Sequence, residues 1–173
     1  MALKHRRSAL ALVLGLVFCL TAGTAHAVLP KGSIAVLSKS ASAQEAAQVA
    51  SVFTRQLLAK GYKVVDPKKL DAIRRSKAAA LALDGDVDAI MKLSRQYGFS
   101  TLITAQSEAG RPVLNEFQLY TGTSSIAVMV TASNGSQIYA DTVAGKQVGY
   151  TPSEAQQKSI EAAAALAVKR MTE

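Results

Sequence analysis

The sequence has no tryptophan, one cysteine and two histidines, and Cys19, His5 and His26 all fall within the first 27 residues. Those residues read as a secretory signal. Lys4, His5, Arg6 and Arg7 form a basic start, Ser8 to Gly23 an apolar run, and Ala25-His26-Ala27 a small-x-small cleavage site ahead of Val28. The run is too short for an ordinary membrane span, and no second long apolar stretch follows. The expected product is a soluble chain, cleaved after Ala27 and exported to the periplasm, with neither cysteine nor histidine left in it. Cys19 does not read as a lipid attachment site, because Phe18 precedes it where a small residue belongs and apolar Leu20 follows.

The loss of these side chains excludes whole reaction classes. Without His or Cys the exported chain builds no Ser-His-Asp triad, no cysteine nucleophile and no ordinary zinc site. It also folds without a disulfide, so its stability comes from burial. There is no Gly-x-Ser-x-Gly and no Gly-x-Gly-x-x-Gly; Gly145-Lys146 fails as a phosphate loop because Gln147 replaces the Ser/Thr and Ala140 the first glycine. Asp84, Asp86 and Asp88 alternate like the start of a calcium loop. The pattern then breaks, with Ala89 at the sharp-turn glycine position and Arg95 at the bidentate glutamate position. Capping of a short helix by Asp84 or Asp86 accounts for the same residues. A two-carboxylate hydrolase drawn from Glu108, Glu116 and Asp141 is the remaining enzymatic form, and nothing in their placement points to it. No enzyme, cofactor or metal is expected.

Removal of 27 of the 173 residues leaves 146, enough for one domain with a single good core, spanning 28–173. Three of the 20 basic residues and none of the 12 acidic ones belong to the signal, so the formal charge falls from +8 to +5. Much of the excess sits in Lys63, Lys68, Lys69, Arg74, Arg75 and Lys77. Such a run faces either an acidic partner, an anionic envelope polymer or lipid headgroups, or simply water, and the solvated face is the favoured reading. An extracytoplasmic address without a basic-aromatic pattern argues against nucleic acid.

Along the chain, Ser33 to Leu37 reads as a strand covered on both faces. Ser42-Ala-Gln-Glu45 is a capping box, and apolar residues from Ala43 to Leu58 then repeat at helical spacing until Gly61. Tyr62 to Val65 forms a second strand, and Asp66-Pro67 launches a helix that carries the basic cluster. Asp84-Gly85-Asp86 interrupts before another short helix ending near Tyr97-Gly98, and Phe99 to Gln106 returns to strand character. Gly110-Arg-Pro112 and Thr121-Gly122-Thr123 read as turns on either side of a strand over Val113 to Tyr120. Ser125 to Ala132 and Gln137 to Val143 flank Asn134-Gly135, the signature of a two-residue type I′ hairpin. Asn134-Gly135-Ser136 also fits a glycosylation acceptor, though the turn explains it without modification. Thr151-Pro-Ser-Glu154 opens a last, alanine-rich helix. The order β-α-β-α-α-β-(β)-β-β-α predicts an α/β (α+β borderline) fold, with a mixed, mostly antiparallel sheet and helices packed on it.

Several of these pieces resemble a family: Gly61-Tyr-Lys-Val-Val-Asp66 after the first helix, Leu93-Ser-Arg-Gln-Tyr-Gly98 before Thr101-Leu-Ile-Thr104, the Asn134-Gly135 turn, and Gly149-Tyr-Thr151 before the alanine-rich helix. Together they are similar to the small α/β domain of bacterial envelope assembly proteins, found in the curli secretion lipoprotein, in the middle domain of the flagellar H-ring protein and in the lipoprotein activators of penicillin-binding proteins. The resemblance implies an assembly or regulatory part of the envelope and not an enzyme. The chain departs from the lipoprotein members in lacking a lipidation cysteine.

The expectation is thus a non-catalytic periplasmic module that docks on an envelope protein or assembly, with a small-ligand or glycan-binding domain as the alternative. Two surfaces are candidates. One is the basic set Lys68, Lys69, Arg74, Arg75 and Lys77. The other is Asn115, Phe117 and Tyr120, in a segment that mixes aromatic and polar groups as partner-facing surfaces do, and as an ordinary edge strand also does.

Overall fold

The computed structural model describes residues 29–173. The expected signal segment, its expected cleavage site and Val28 lie outside the described residues. Strand β1 (Ser33–Lys39) buries Ile34 to Leu37 completely, as its continuous apolar run requires of a strand covered on both faces. Helix α1 (Ala43–Ala59) carries the chain back across one face, and Gly61, at φ +82°, turns it into β2 (Lys63–Val64), parallel to β1. Helices α2 (Pro67–Arg74), α3 (Lys77–Leu83) and α4 (Val87–Tyr97) then cross the opposite face. They lead to β3 (Thr101–Ala109), parallel to β1 on its other side. From there the sheet is antiparallel, through β4 (Val113–Leu114), β5 (Tyr120–Ala132) and β6 (Gln137–Gly149), and α5 (Pro152–Thr172) closes the chain.

The strands run β2-β1-β3-β5-β6, with β4 pairing the same side of β5 past the end of β3. One face is covered by α1 and α5 over a core that includes Phe53, Ile103, Ile126, Ile160 and Met171. The other is covered by α2, α3 and α4 over Leu37, Ile73, Ile90 and Leu102. That second layer stops short: Ala127, Ala140, Thr142 and Ala144, on the same face of β5 and β6, are exposed. The described chain is thus one domain with a mixed sheet and five helices, the α/β class that the sequence pattern predicts with one helix more.

The N-caps of both predicted capping boxes are present. Ser42 Oγ accepts from the Glu45 N–H and Thr151 Oγ1 from the Glu154 N–H, each at 3.1 Å. The glutamates do not complete the boxes reciprocally, however. Glu45 Oε1 accepts from Ser107 Oγ at 3.1 Å, and Glu154 Oε2 from the Tyr150 N–H at 2.8 Å. Replacing Ser42 or Thr151 with alanine is expected to cost ~1 kcal/mol, read as a lower denaturation midpoint, because one helix-end N–H loses its acceptor.

Four expectations are corrected. The helix predicted over the basic cluster is two helices. Ser76 Oγ donates to the Ile73 carbonyl at 2.7 Å and accepts from the Ala79 N–H at 3.2 Å, ending α2 and capping α3, so Arg74 and Lys77 do not share a helical side. Thr121-Gly122-Thr123 is not a turn but lies inside β5. Strand character in Val113 to Tyr120 is confined to its ends, with a tight turn at 115–118 between them. Finally, the Asn134-Gly135 hairpin is not type I′, because Gly135, at φ +86°, has positive φ and Asn134 does not. The Gly135 N–H reaches the Ala132 carbonyl at 2.9 Å and the Ala132 N–H the Ser136 carbonyl at 2.8 Å, which makes a three-residue loop with one left-handed position.

Candidate docking surface

Eight large apolar residues are exposed among those described, and five of them lie at one end of the sheet. Pairing puts them there. Val113 and Val148 both register with Thr121 on one face of the sheet. Leu114 registers with Tyr120, which also faces Gly149, on the face that α5 packs against, so the residues gather at this end from both faces. Phe117 stands in the turn between β4 and β5, 74% exposed, and Tyr150 directly follows β6, 79% exposed. The other three, Leu58, Leu81 and Val87, are scattered over α1, α3 and α4. Concentration of this kind, with two exposed aromatics, is the feature that distinguishes a contact surface from ordinary exposed side chains.

The turn that presents Phe117 is locally fixed. Asn115 Oδ1 accepts from the N–H groups of Phe117 and Leu119, both at 3.0 Å, and the Asn115 N–H donates to the Leu119 carbonyl at 2.8 Å. The side-chain amide thus replaces backbone partners, as asparagine does in turns. Gln118 takes φ +58°, the left-handed position that closes the loop. Of the three residues the sequence suggested here, Phe117 and Tyr120 belong to the surface, Tyr120 half-buried, and Asn115 builds the turn that carries it. Val148 and Tyr150 were not legible as part of it. An apolar residue just before an N-cap ordinarily packs back on the helix, whereas Tyr150 faces water.

The basic residues occupy a separate place. Lys68, Lys69, Arg74, Arg75 and Lys77 are exposed on α2, at its end and at the start of α3, while Leu70 and Ile73 turn inward. Arg74 Nη1 lies 3.3 Å from Asp71 Oδ1. No aromatic or large apolar exposed residue interleaves them on α2.

Three of the candidate carboxylates are engaged structurally. Asp86 Oδ1 accepts from the Ala89 N–H at 2.8 Å as the cap of α4, and Asp84 pairs with Lys39 Nζ at 2.9 Å. Asp141 accepts from Tyr139 Oη and Arg170 Nη1, both at 2.9 Å, tying β6 to the last turns of α5. Glu108 is on β3 and Glu116 in the β4–β5 turn, so the three carboxylates proposed for hydrolysis sit on three different elements. Among the described residues no three His, Cys, Asp or Glu side chains gather to hold a metal ion. A shallow groove of about 490 Å³ runs between the Asp84-Gly85 turn and the open sheet face near Met129 and Thr142; its two carboxylates, Asp84 and Asp141, are the paired ones above.

Arg170 holds the Asp141 carboxyl below the usual carboxylate range against the opposing effect of burial, with the Tyr139 hydroxyl and the Thr142 N–H adding to the lowering. Burial, then the hydrogen bond to Asp141, pushes Tyr139 up to about 12. A carboxyl depressed in the folded state contributes stability that is present at neutral pH and lost as pH falls through its folded value. Asp141→Asn is therefore expected to lower the denaturation midpoint more at pH 7 than at about pH 3. An equal loss at both would show that the ionised form contributes nothing.

No family model matches the chain, and no curated protein matches it by sequence. Solved structures match its fold. The PelC dodecamer from Paraburkholderia phytofirmans superposes with a TM-score of 0.52 at 11% identity, covering 83% of this chain and 91% of that one. Lipoprotein GNA1162 from Neisseria meningitidis gives 0.49 at 17% identity over 70% and 86%, and the LpoB C-terminal domain from Salmonella enterica 0.42 at 13% over 68% and 84%. At these identities the likeness is one of fold. Among the described residues no helix is long and apolar enough to cross a membrane.

Proposed function

We propose that this chain is a non-catalytic docking module of the bacterial cell envelope, exported to the periplasm, that engages an envelope protein through the apolar end of its sheet. The exposed cluster of Val113, Leu114, Phe117, Val148 and Tyr150 carries this reading. Aromatic side chains exposed on a hydrogen-bonded turn lose little freedom on binding and bury large area, which is what interface anchors require. The residue types left after export supply no histidine- or cysteine-based nucleophile-base pair, and Asp84, Asp86 and Asp141 already have structural partners, which supports a binding role over a chemical one. A fold like that of PelC, a dodecamer, suits a protein that works in contact with other chains. The basic residues of α2 and α3 serve as a solvated face.

A photo-crosslinking residue placed at position 117 or 150 is expected to capture a discrete envelope protein, and the same residue at position 69 is not. Capture from position 69 alone would move the docking surface to the basic face. Capture from none, alongside a reproducible small-molecule ligand, would replace docking with ligand binding.

A further inference from the structure

Strand β6 is an outer strand, pairing β5 along one side only. The Gly110 N–H donates to the Thr123 carbonyl from the side of β5 away from β6, so odd-numbered residues of β5 turn their polar groups from β6. Their register partners, Ala140, Thr142, Ala144, Lys146 and Val148, accordingly turn theirs to the open edge. The chain fills two of these outward donor positions itself. The Thr142 N–H donates to Asp141 Oδ1 at 2.8 Å, and just past the strand the Tyr150 N–H donates to Glu154 Oε2, also at 2.8 Å. Between the two, the N–H groups of Ala144, Lys146 and Val148 have no partner among the described residues. The result is a short open stretch of edge stopped at both ends by carboxylates, adjoining the apolar cluster at Val148.

We propose that this stretch, Ala144 to Val148, receives one extended segment of the partner protein as an added strand, with a carboxylate of that segment opposite Lys146. The inference rests on the docking reading above and names the chemistry of what docks. Strand addition supplies affinity through the backbone and selectivity through alternate side chains. Lys146 is exposed, makes no ion pair among the described residues, and is flanked on its face by Ala144 and Val148. It therefore selects an acidic side chain, with small or apolar ones two residues to either side. A second copy of this chain is disfavoured by the same residue, since antiparallel self-pairing about the centre of the stretch sets Lys146 against Lys146.

The test uses the exported chain labelled with nitrogen-15, read by amide exchange, with a capped peptide of alternating threonine and valine carrying a central glutamate as probe. Exchange at Ala144, Lys146 and Val148 is expected to be fast in the free chain and to slow about tenfold or more with this peptide, but not with a lysine-centred one. Lys146→Glu should reverse the preference. Lys146→Pro, which removes an N–H that faces away from β5, should remain folded and respond to neither peptide. If that variant fails to fold, the reversal in Lys146→Glu decides. No slowing with the glutamate peptide, equal slowing with both, or slowing that grows with protein concentration alone overturns the proposal, the last assigning the edge to a second copy. Loss of the captured partner in Phe117→Ala/Tyr150→Ala but not in Lys146→Pro would remove the edge from the account and leave the docking reading standing.

Discussion

Gly145→Ala is expected to destabilise the protein by about 3 kcal/mol, at the upper end for overpacking, because the added methyl has nowhere to go. A Cβ on Gly145 runs into the Ser159 carbonyl oxygen and lies 2.8 Å from the Ala163 nitrogen. Both are backbone atoms in the middle of α5, so relief requires the helix to lift off β6. Two further glycines sit under the same helix: a Cβ on Gly122 meets the Ala155 carbonyl, and one on Gly149 lies 2.6 Å from the Ala155 nitrogen. Alanines on α5 and glycines on β5 and β6 together make this close contact. For a domain of this size the loss corresponds to a fall in thermal midpoint of roughly 6–12 °C. Ala144→Val, one residue away and facing the open side of the sheet, should stay within about 0.5 kcal/mol of the wild type. Equal effects from the two would contradict the packing.

Gly135→Val is expected to cost about 2–3 kcal/mol, from two separable causes. At φ +86° a β-branched residue is strained wherever it stands, and the new Cβ also meets Val87 Cγ1 on α4. In a Val87→Ala background the steric part should be relieved and the backbone part should remain. Full recovery there would mean that the left-handed conformation imposes no cost, and no recovery that α4 is not in contact with the loop.

These same glycines show where sequence reading succeeds and fails. Local signals were legible because their cause is local: Ser42, Asp86 and Thr151 cap helices by reaching an N–H three residues on, and Gly98 ends α4 by taking φ +72°. The continuous apolar run of β1 announced its burial on both faces. Gly122, by contrast, looked like a turn residue, and its reason for being glycine is Ala155, 33 positions later. No local pattern encodes such a contact. Ser76 was hidden inside an alanine-rich stretch, since serine is tolerated in a helix until its hydroxyl finds both Ile73 and Ala79.

The proposed docking surface divides along the same line. Phe117 and Tyr120 stood out because aromatic residues are few and these fall in a turn-bounded segment. Val148 and Tyr150 join them only through the register of β5 with β6, across a hairpin whose loop geometry the Asn-Gly signature misstates. The basic cluster, conspicuous as a run, gained no partner groups from folding beyond Asp71.

The most direct test of the account is the affinity of the captured envelope partner for three forms of the chain: wild type, Phe117→Ala/Tyr150→Ala and Lys69→Glu/Arg74→Glu. The account predicts that the aromatic variant keeps its thermal midpoint and loses affinity about 30-fold or more, as removal of central anchors does, while the charge-reversed variant binds like the wild type. Full-strength binding by the aromatic variant, or loss confined to the charge-reversed one, would contradict it.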